Sequence, residues 1–161
     1  MVSFAAKGSV MEFKVLHHLP EEYEPQLVEL YQQAWWSEGR TAGDIRKMLS
    51  KTDGVVVVLD DPGDNLVGFA RFISDSIYKA IVFDVIVEKT SRGFGMGRTL
   101  MEALMDHPDL QSVHHVELYC MPVHVPFYEK WGFTSELGDL RFMRFSKEKV
   151  PAGVSLATSK G

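Results

Sequence analysis

The spacing of apolar residues changes period several times along the chain, and each change marks an element. Phe13, Val15 and Leu16 predict a first strand, with His17 and His18 at its end. Behind Pro25, which suits a first helical turn, Tyr23, Leu27, Leu30, Tyr31 and Ala34 make one stripe of a helix, and Gly39 closes that stretch. Thr41 with Asp44 three residues later reads as the cap of a second helix, whose apolar face is Ile45, Met48 and Leu49. The pattern then shortens. Residues 55–59, 66–73 and 80–87 are short, β-branched runs separated by Asp60-Asp61-Pro62-Gly63-Asp64-Asn65 and Ser74-Asp75-Ser76, which predicts an antiparallel meander. Leu100, Met101, Leu104 and Met105 return to helical spacing until Pro108. Residues 115–120 alternate; joined by a crossover helix, they predict a strand parallel to 80–87. A short helix closed by Gly132 and a last strand over 140–145 complete the series. This order describes an α/β (α+β) domain over residues 11–147, with 1–10 as a leader and 148–161 as a disordered tail.

Composition narrows the function classes. The chain has 161 residues, 45% of them apolar, as one globular domain requires. Net charge is −5 and the longest basic run is Arg46-Lys47, which argues against nucleic acid as a partner. Cys120 is the single cysteine, so no internal disulfide forms, and a reducing compartment is expected, cytoplasmic ahead of organellar. No apolar run approaches a membrane span. His17 and His18 lack companions at metal-ligand spacing, and no metal is expected.

The chemistry concentrates where the strand at 80–87 meets the helix after it. Arg92-Gly93-Phe94-Gly95-Met96-Gly97-Arg98-Thr99-Leu100 places glycines on a strand-to-helix turn. Glycines there let backbone approach a ligand, and the first helical amides lack intrahelical acceptors. Such a turn is a phosphate site, or else a means of packing the helix close to the sheet. The spacing fits neither a P-loop, which needs Gly-Lys-Ser/Thr, nor G-x-G-x-x-G, because Arg98 stands where each would differ. A second motif follows: Phe127-Tyr128-Glu129-Lys130-Trp131-Gly132-Phe133.

Arg92, Gly95, Gly97 and Leu100, followed by Tyr128 and Gly132-Phe133, resemble the two signatures of the GNAT superfamily of acyl-CoA-dependent N-acetyltransferases, in the family's order. The resemblance implies a GNAT-like single domain with a mixed central sheet, an antiparallel N-terminal meander, a splayed parallel strand pair and about four flanking helices. It also implies acetyl-CoA as co-substrate and a primary amine as acceptor, with direct attack through a tetrahedral intermediate. On that resemblance Val85, Ile86 and Val87 face the pantetheine arm, and Arg92, Gly93, Phe94, Gly95, Met96, Gly97, Arg98 and Thr99 cradle the pyrophosphate. Tyr128 is the acid that meets the departing thiolate. Three positions depart from the family's pattern: Met121 where many relatives carry asparagine, His124 where many carry alanine, and Phe83 where some carry glutamate.

The general base therefore does not carry over. Asp84 is the acid within this strand, beside Val85, and serves either as base or ammonium anchor, or as a structural carboxylate bonded within the fold. Tyr31, Trp35, Trp36 and His124 are the candidate acceptor-binding residues; the two tryptophans cannot share a helix face, so one lines a cleft or both pack. Cys120 has no flanking base and reads as a buried strand residue. Two alternatives stay open: a non-catalytic acyl-CoA sensor, and an acetyltransferase acting on protein lysines or N-termini. No nucleic acid or membrane partner is expected, and a homodimer is compatible with the sequence.

Overall fold

The apolar runs between residues 54 and 87 form the meander that their turns predict. In the computed structural model, which describes residues 2–6, 9–61 and 64–147, β3 (Gly54–Asp61), β4 (Leu66–Ser74) and β5 (Lys79–Val87) pair antiparallel in chain order. Before them, β1 (Val2–Ala6) pairs with β2 (Ser9–Leu16), and β2 pairs with β3. The leader expected over residues 1–10 therefore contains a strand, and β2 starts earlier than Phe13. An edge hairpin of this kind is held mainly by backbone bonds, which leave a weak mark on side-chain pattern. After helix α3 (Met96–Met105), β6 (His115–Glu117) joins β5 in parallel and completes, among the described residues, a six-stranded sheet in the order β1 to β6. The strand expected over 115–120 thus stops at Glu117.

Neighbouring residues of one strand separate the two faces of the sheet. On one face, Leu27, Leu30 and Tyr31 of α1 (Glu24–Gln32) and Ile45 of α2 (Ala42–Leu49) cluster with Val57, Leu59, Phe69 and Ile86. On the other, a Cβ added to Gly68 would meet Val58 and the Met96 sulfur, so α3 lies there. Leu100, Met101 and Leu104 are wholly buried on that helix. Truncating one of them to alanine costs about 2–5 kcal/mol. The Thr41 cap forms as expected: its hydroxyl oxygen accepts from the Asp44 amide at 3.1 Å.

The described residues divide into two compact units, one ending at Pro122 and one beginning at Val123. The second carries α4 (Val125–Tyr128) and a 3-10 turn, Glu129–Trp131, closed by Gly132 at φ 84°. Gly132 ends that helix as the sequence predicts. The last strand expected over 140–145 is absent: residues 141–145 carry no regular structure, and Leu140, Phe142, Met143 and Phe145 are exposed. Their apolar alternation is the pattern of a strand, but a strand requires a hydrogen-bonded neighbour as well as a pattern. The tail expected over 148–161 lies outside the described residues.

Candidate active site

Strand β5 parts from its parallel neighbour early. Lys79, Ala80 and Ile81 pair with His115, Val116 and Glu117, and among the described residues no further β6 partner follows. Val82 to Val87 therefore present an open backbone edge on that side, the splay expected for the parallel pair. Such an edge is a template for an extended ligand with amide groups.

The same half-strand is bulged on its other side. From Phe69 to Arg71, β4 takes two steps while β5 takes three, from Ile86 to Phe83. Asp84 lies in the bulge, left-handed at φ 56°. An L-residue pays roughly 1–2 kcal/mol for that conformation, aspartate being among the types that visit it most. The extra residue flips the side-chain phase. Val82 pairs with Phe72, which meets His107 beyond α3, whereas Ile86 packs in the α1–α2 cluster.

Three donors converge on one carboxylate oxygen of Asp84. Arg71 Nε lies at 2.5 Å, the Tyr31 hydroxyl at 2.8 Å and Arg40 Nη1 at 3.2 Å. The carboxylate and the Arg71 side chain are only 5% and 9% exposed, and Arg40 is 31% exposed. Burial first, then the charge and hydrogen bond of Asp84, push the Tyr31 phenol far above its ordinary pKa, so it stays protonated and donates. Arg71 also lies over the Phe83 ring. Arg40 lies over Tyr31 and Trp36, and those two rings meet edge to face.

Beyond β5 the chain turns through Lys89–Ser91, capped by Glu88. Burial pushes the Glu88 carboxyl up, but hydrogen bonds from Thr90 and Ser91 outweigh it and hold it ionised below its ordinary range. Arg92 Nε donates to the Val87 carbonyl, and the Lys89 amide to Gln33 at the end of α1. Gly93 and Gly95 follow at φ 88° and 81°, and a Cβ on either would find open space. Only glycine takes these conformations cheaply. Gly95 caps α3, and its carbonyl accepts from the Thr99 amide. Met96, Gly97 and Arg98 come before that bond, so their amides are the unclaimed donors of the helix start. The glycine turn thus leads directly into these amides, with open space beside Gly93 and Gly95.

The remaining candidates fall into distinct places. Val85 and Val87 are half-buried on the open half of β5, while Ile86 is buried with the core and offers only its backbone. Met96 and Thr99 also bury their side chains, whereas Phe94, Arg92 and Arg98 are exposed, and Arg98 pairs with Glu102. Tyr31 does not line an open pocket: it is wholly buried beneath Trp36 and Arg40. Trp35 is 74% exposed and Trp36 40%, so the pair is not core. In the second unit, His124 is exposed and Tyr128 is half-buried among Phe127 and Phe133. Cys120 is half-buried, and burial pushes its thiol pKa up, which keeps it protonated. Among the described residues no group of His, Cys, Asp and Glu is placed to hold a metal, and no helix is long and apolar enough to cross a membrane.

Sequence reasoning missed Arg71 and Arg40. Arg71 had a signal, a lone cation inside the buried run Phe69-Ala70-Arg71-Phe72, which calls for a buried anion. Arg40 had none, since only the folded turn after α1 returns it to Asp84.

The family model for the acetyltransferase (GNAT) domain matches residues 51–135. Among curated proteins, the chain is similar to serotonin N-acetyltransferase 2, chloroplastic, of Oryza sativa subsp. japonica, at 33% identity over 109 residues, 65% of this chain and 54% of that one. It is similar to GCN5-related N-acetyltransferase 1, chloroplastic, of Arabidopsis thaliana, at 28% over 110 residues, 68% and 56% of the two chains. The chain spans about half the length of these relatives. A solved structure of a GNAT-family protein from Xanthomonas campestris pv. campestris matches with TM-score 0.67 and 26% identity, over 82% of this chain and 94% of that one. Glucosamine-6-phosphate N-acetyltransferase from Arabidopsis thaliana shares the fold, at TM-score 0.66 and 19% identity over 85% and 98% of the two chains.

Proposed function

Because the chain belongs to the GNAT acetyltransferase family, we propose that it transfers the acetyl group of acetyl-CoA to a primary amine. The observation that carries this reading is the continuity of the open half of β5 with the glycine turn and the unclaimed amides of α3. The strand edge suits the amides of a pantetheine arm, and the helix start suits a pyrophosphate. Arg92 and Arg98 add positive charge on the exposed side.

The chemistry follows from what acyl transfer demands. An alkylammonium has a pKa of about 10, so the acceptor must lose a proton before it attacks. Its nitrogen lone pair bonds the thioester carbon, and the carbonyl oxygen takes the negative charge. The Val85 amide, beside the bulge, is the donor assigned to that oxygen. Collapse breaks the C–S bond, and the departing thiolate takes a proton from an acid, the role that the resemblance to the family gives Tyr128. One carboxylate oxygen of Asp84 is already engaged by two arginines and a phenol. We assign the ammonium proton to water before attack, and the second N–H proton, released as the amide forms, to the water that restores Tyr128; Asp84 has a positioning role. This reading sets aside the base among the roles expected for that residue.

The exposed Trp35 and Trp36 support an aromatic or cationic small amine as acceptor, in keeping with the serotonin named for one relative. The chloroplastic names of both relatives favour a plastid over the cytoplasm expected from the cysteine content. The test is calorimetry with acetyl-CoA, followed by a CoA-release screen over serotonin, aliphatic diamines and lysine peptides. Binding of acetyl-CoA with turnover on a small amine is expected. Absence of acetyl-CoA binding by the folded protein would sink the proposal.

A further inference from the structure

Arg40 is the surplus member of the Asp84 cluster. Arg71 alone balances the carboxylate and is buried with it. Arg40 brings a second positive charge to the same oxygen, through the longest of the three bonds, 3.2 Å against 2.8 and 2.5 Å. Its guanidinium carbon lies 4.9 Å from the centre of the Tyr31 ring and 5.4 Å from that of Trp36. Its other side-chain partner among the described residues is the Met48 sulfur, at 3.8 Å. A carboxylate flanked by two aromatic rings is the chemistry that holds an organic cation. Here the cation comes from the chain itself.

The segment that delivers it is a turn at the surface. Arg40 follows Gly39, left-handed at φ 87°. Gln32 ties both to α1 by bonds on the exposed surface, accepting from the Gly39 amide and donating to the Arg40 carbonyl. Arg71, by contrast, sits within β4 with its side chain buried. The cluster therefore has one buried cation and one on a surface turn.

We propose that the corner formed by Asp84, Tyr31 and Trp36 binds the acceptor's ammonium group, and that Arg40 is an internal stand-in displaced when a cationic amine docks. Naming the occupant as the acceptor rests on the acetyltransferase reading; the preference for an organic cation does not. The corner adjoins Val85 along β5, where the thioester is assigned. The substrate class is a primary amine protonated in solution, whose body lies along the exposed Trp35 and Trp36. An anionic compound meets the Asp84 carboxylate, and a neutral analogue cannot replace the guanidinium's charge. An ammonium bound here passes its proton to water before attack, with Asp84 still paired to Arg71.

The test is a titration of the full chain with 2-phenylethylammonium chloride, read by tryptophan fluorescence, with neutral 2-phenylethanol as the control. If the guanidinium fills the corner in about nine molecules of ten, Arg40→Gln raises apparent affinity for the ammonium about tenfold and leaves the alcohol unchanged. Trp36→Leu, which removes a half-exposed ring, then weakens the ammonium in the Arg40→Gln background. Circular dichroism establishes that both variants fold. Equal ammonium affinity with and without Arg40, or an equal gain for the alcohol, overturns the proposal, since Arg40 is then a fixed strut. Acetyl-CoA calorimetry on the same preparations is a separate readout. Its failure sinks the acetyltransferase reading, while the ammonium-to-alcohol contrast still judges the corner.

Discussion

Replacing Asp84 by asparagine is the sharpest test of how the site is held. Asparagine tolerates the left-handed φ of 56° and still offers an oxygen to the Tyr31 hydroxyl, so backbone strain and the phenol are largely controlled. What disappears is the charge opposite Arg71, whose side chain is only 9% exposed. Breaking a buried pair by removing one partner costs about 3–5 kcal/mol, because the remaining ion stays desolvated and uncompensated. At about 2–4 °C per kcal/mol for a chain of this size, the melting temperature should fall by roughly 6–20 °C. Urea denaturation followed by circular dichroism measures the loss directly. Adding Arg71→Met removes the stranded ion and should recover at least half of it. An Asp84→Asn variant with an unchanged urea midpoint would refute the account of Asp84 as a buried anchor. Lost turnover at unchanged stability would return it to the role of base.

Gly95→Val should weaken acetyl-CoA about tenfold or more by calorimetry. The fold itself meets no clash there and bears only the roughly 1–2 kcal/mol of a left-handed β-branched residue; unchanged affinity in the folded variant counts against the loop assignment. Tyr128→Phe keeps the ring and removes the hydroxyl, so kcat should fall about tenfold or more, within the ~10²–10⁴ usual for a general acid, while acetyl-CoA affinity holds. Wild-type kcat, with chemistry rate-limiting, would take the acid role from Tyr128. His107 is buried between Phe72 and His17, and burial, then the neighbouring His17, push its pKa below the ordinary value against the pull of Asp109. The unfolded chain therefore takes up this proton first, so stability holds above about pH 6.5 and declines as pH falls towards the folded pKa. Thermal melts from about pH 7 to pH 5 should show that decline, and His107→Gln should flatten part of it.

Much of this protein is legible locally, for reasons that reside in adjacent residues. Turn chemistry delimits the meander, Thr41 and Asp44 cap α2 across three residues, and Gly132 ends its helix by its own left-handed conformation. The glycine turn and the α3 amides are visible for the same reason, since a phosphate cradle is made by consecutive backbone units. The Phe127–Phe133 motif is equally local.

Long-range pairing is a different matter. The strand pattern at 140–145 and the end of 115–120 looked sufficient, but strands exist only where a neighbour supplies hydrogen bonds, and the pattern does not name the neighbour. β1 escaped notice for the converse reason, because its pairing with β2 is carried by backbone. At the site, the local sequence identified Asp84 as the acid within the strand. Only the tertiary structure could show that a bulge turns it inward, that Arg71 arrives from β4 and that Arg40 returns from the turn after α1. Spacing along the chain thus determined which groups are available. Convergence of residues up to 53 positions apart on one oxygen decided which of them remain free to act, because a charge buried in low dielectric answers to its neighbours in space.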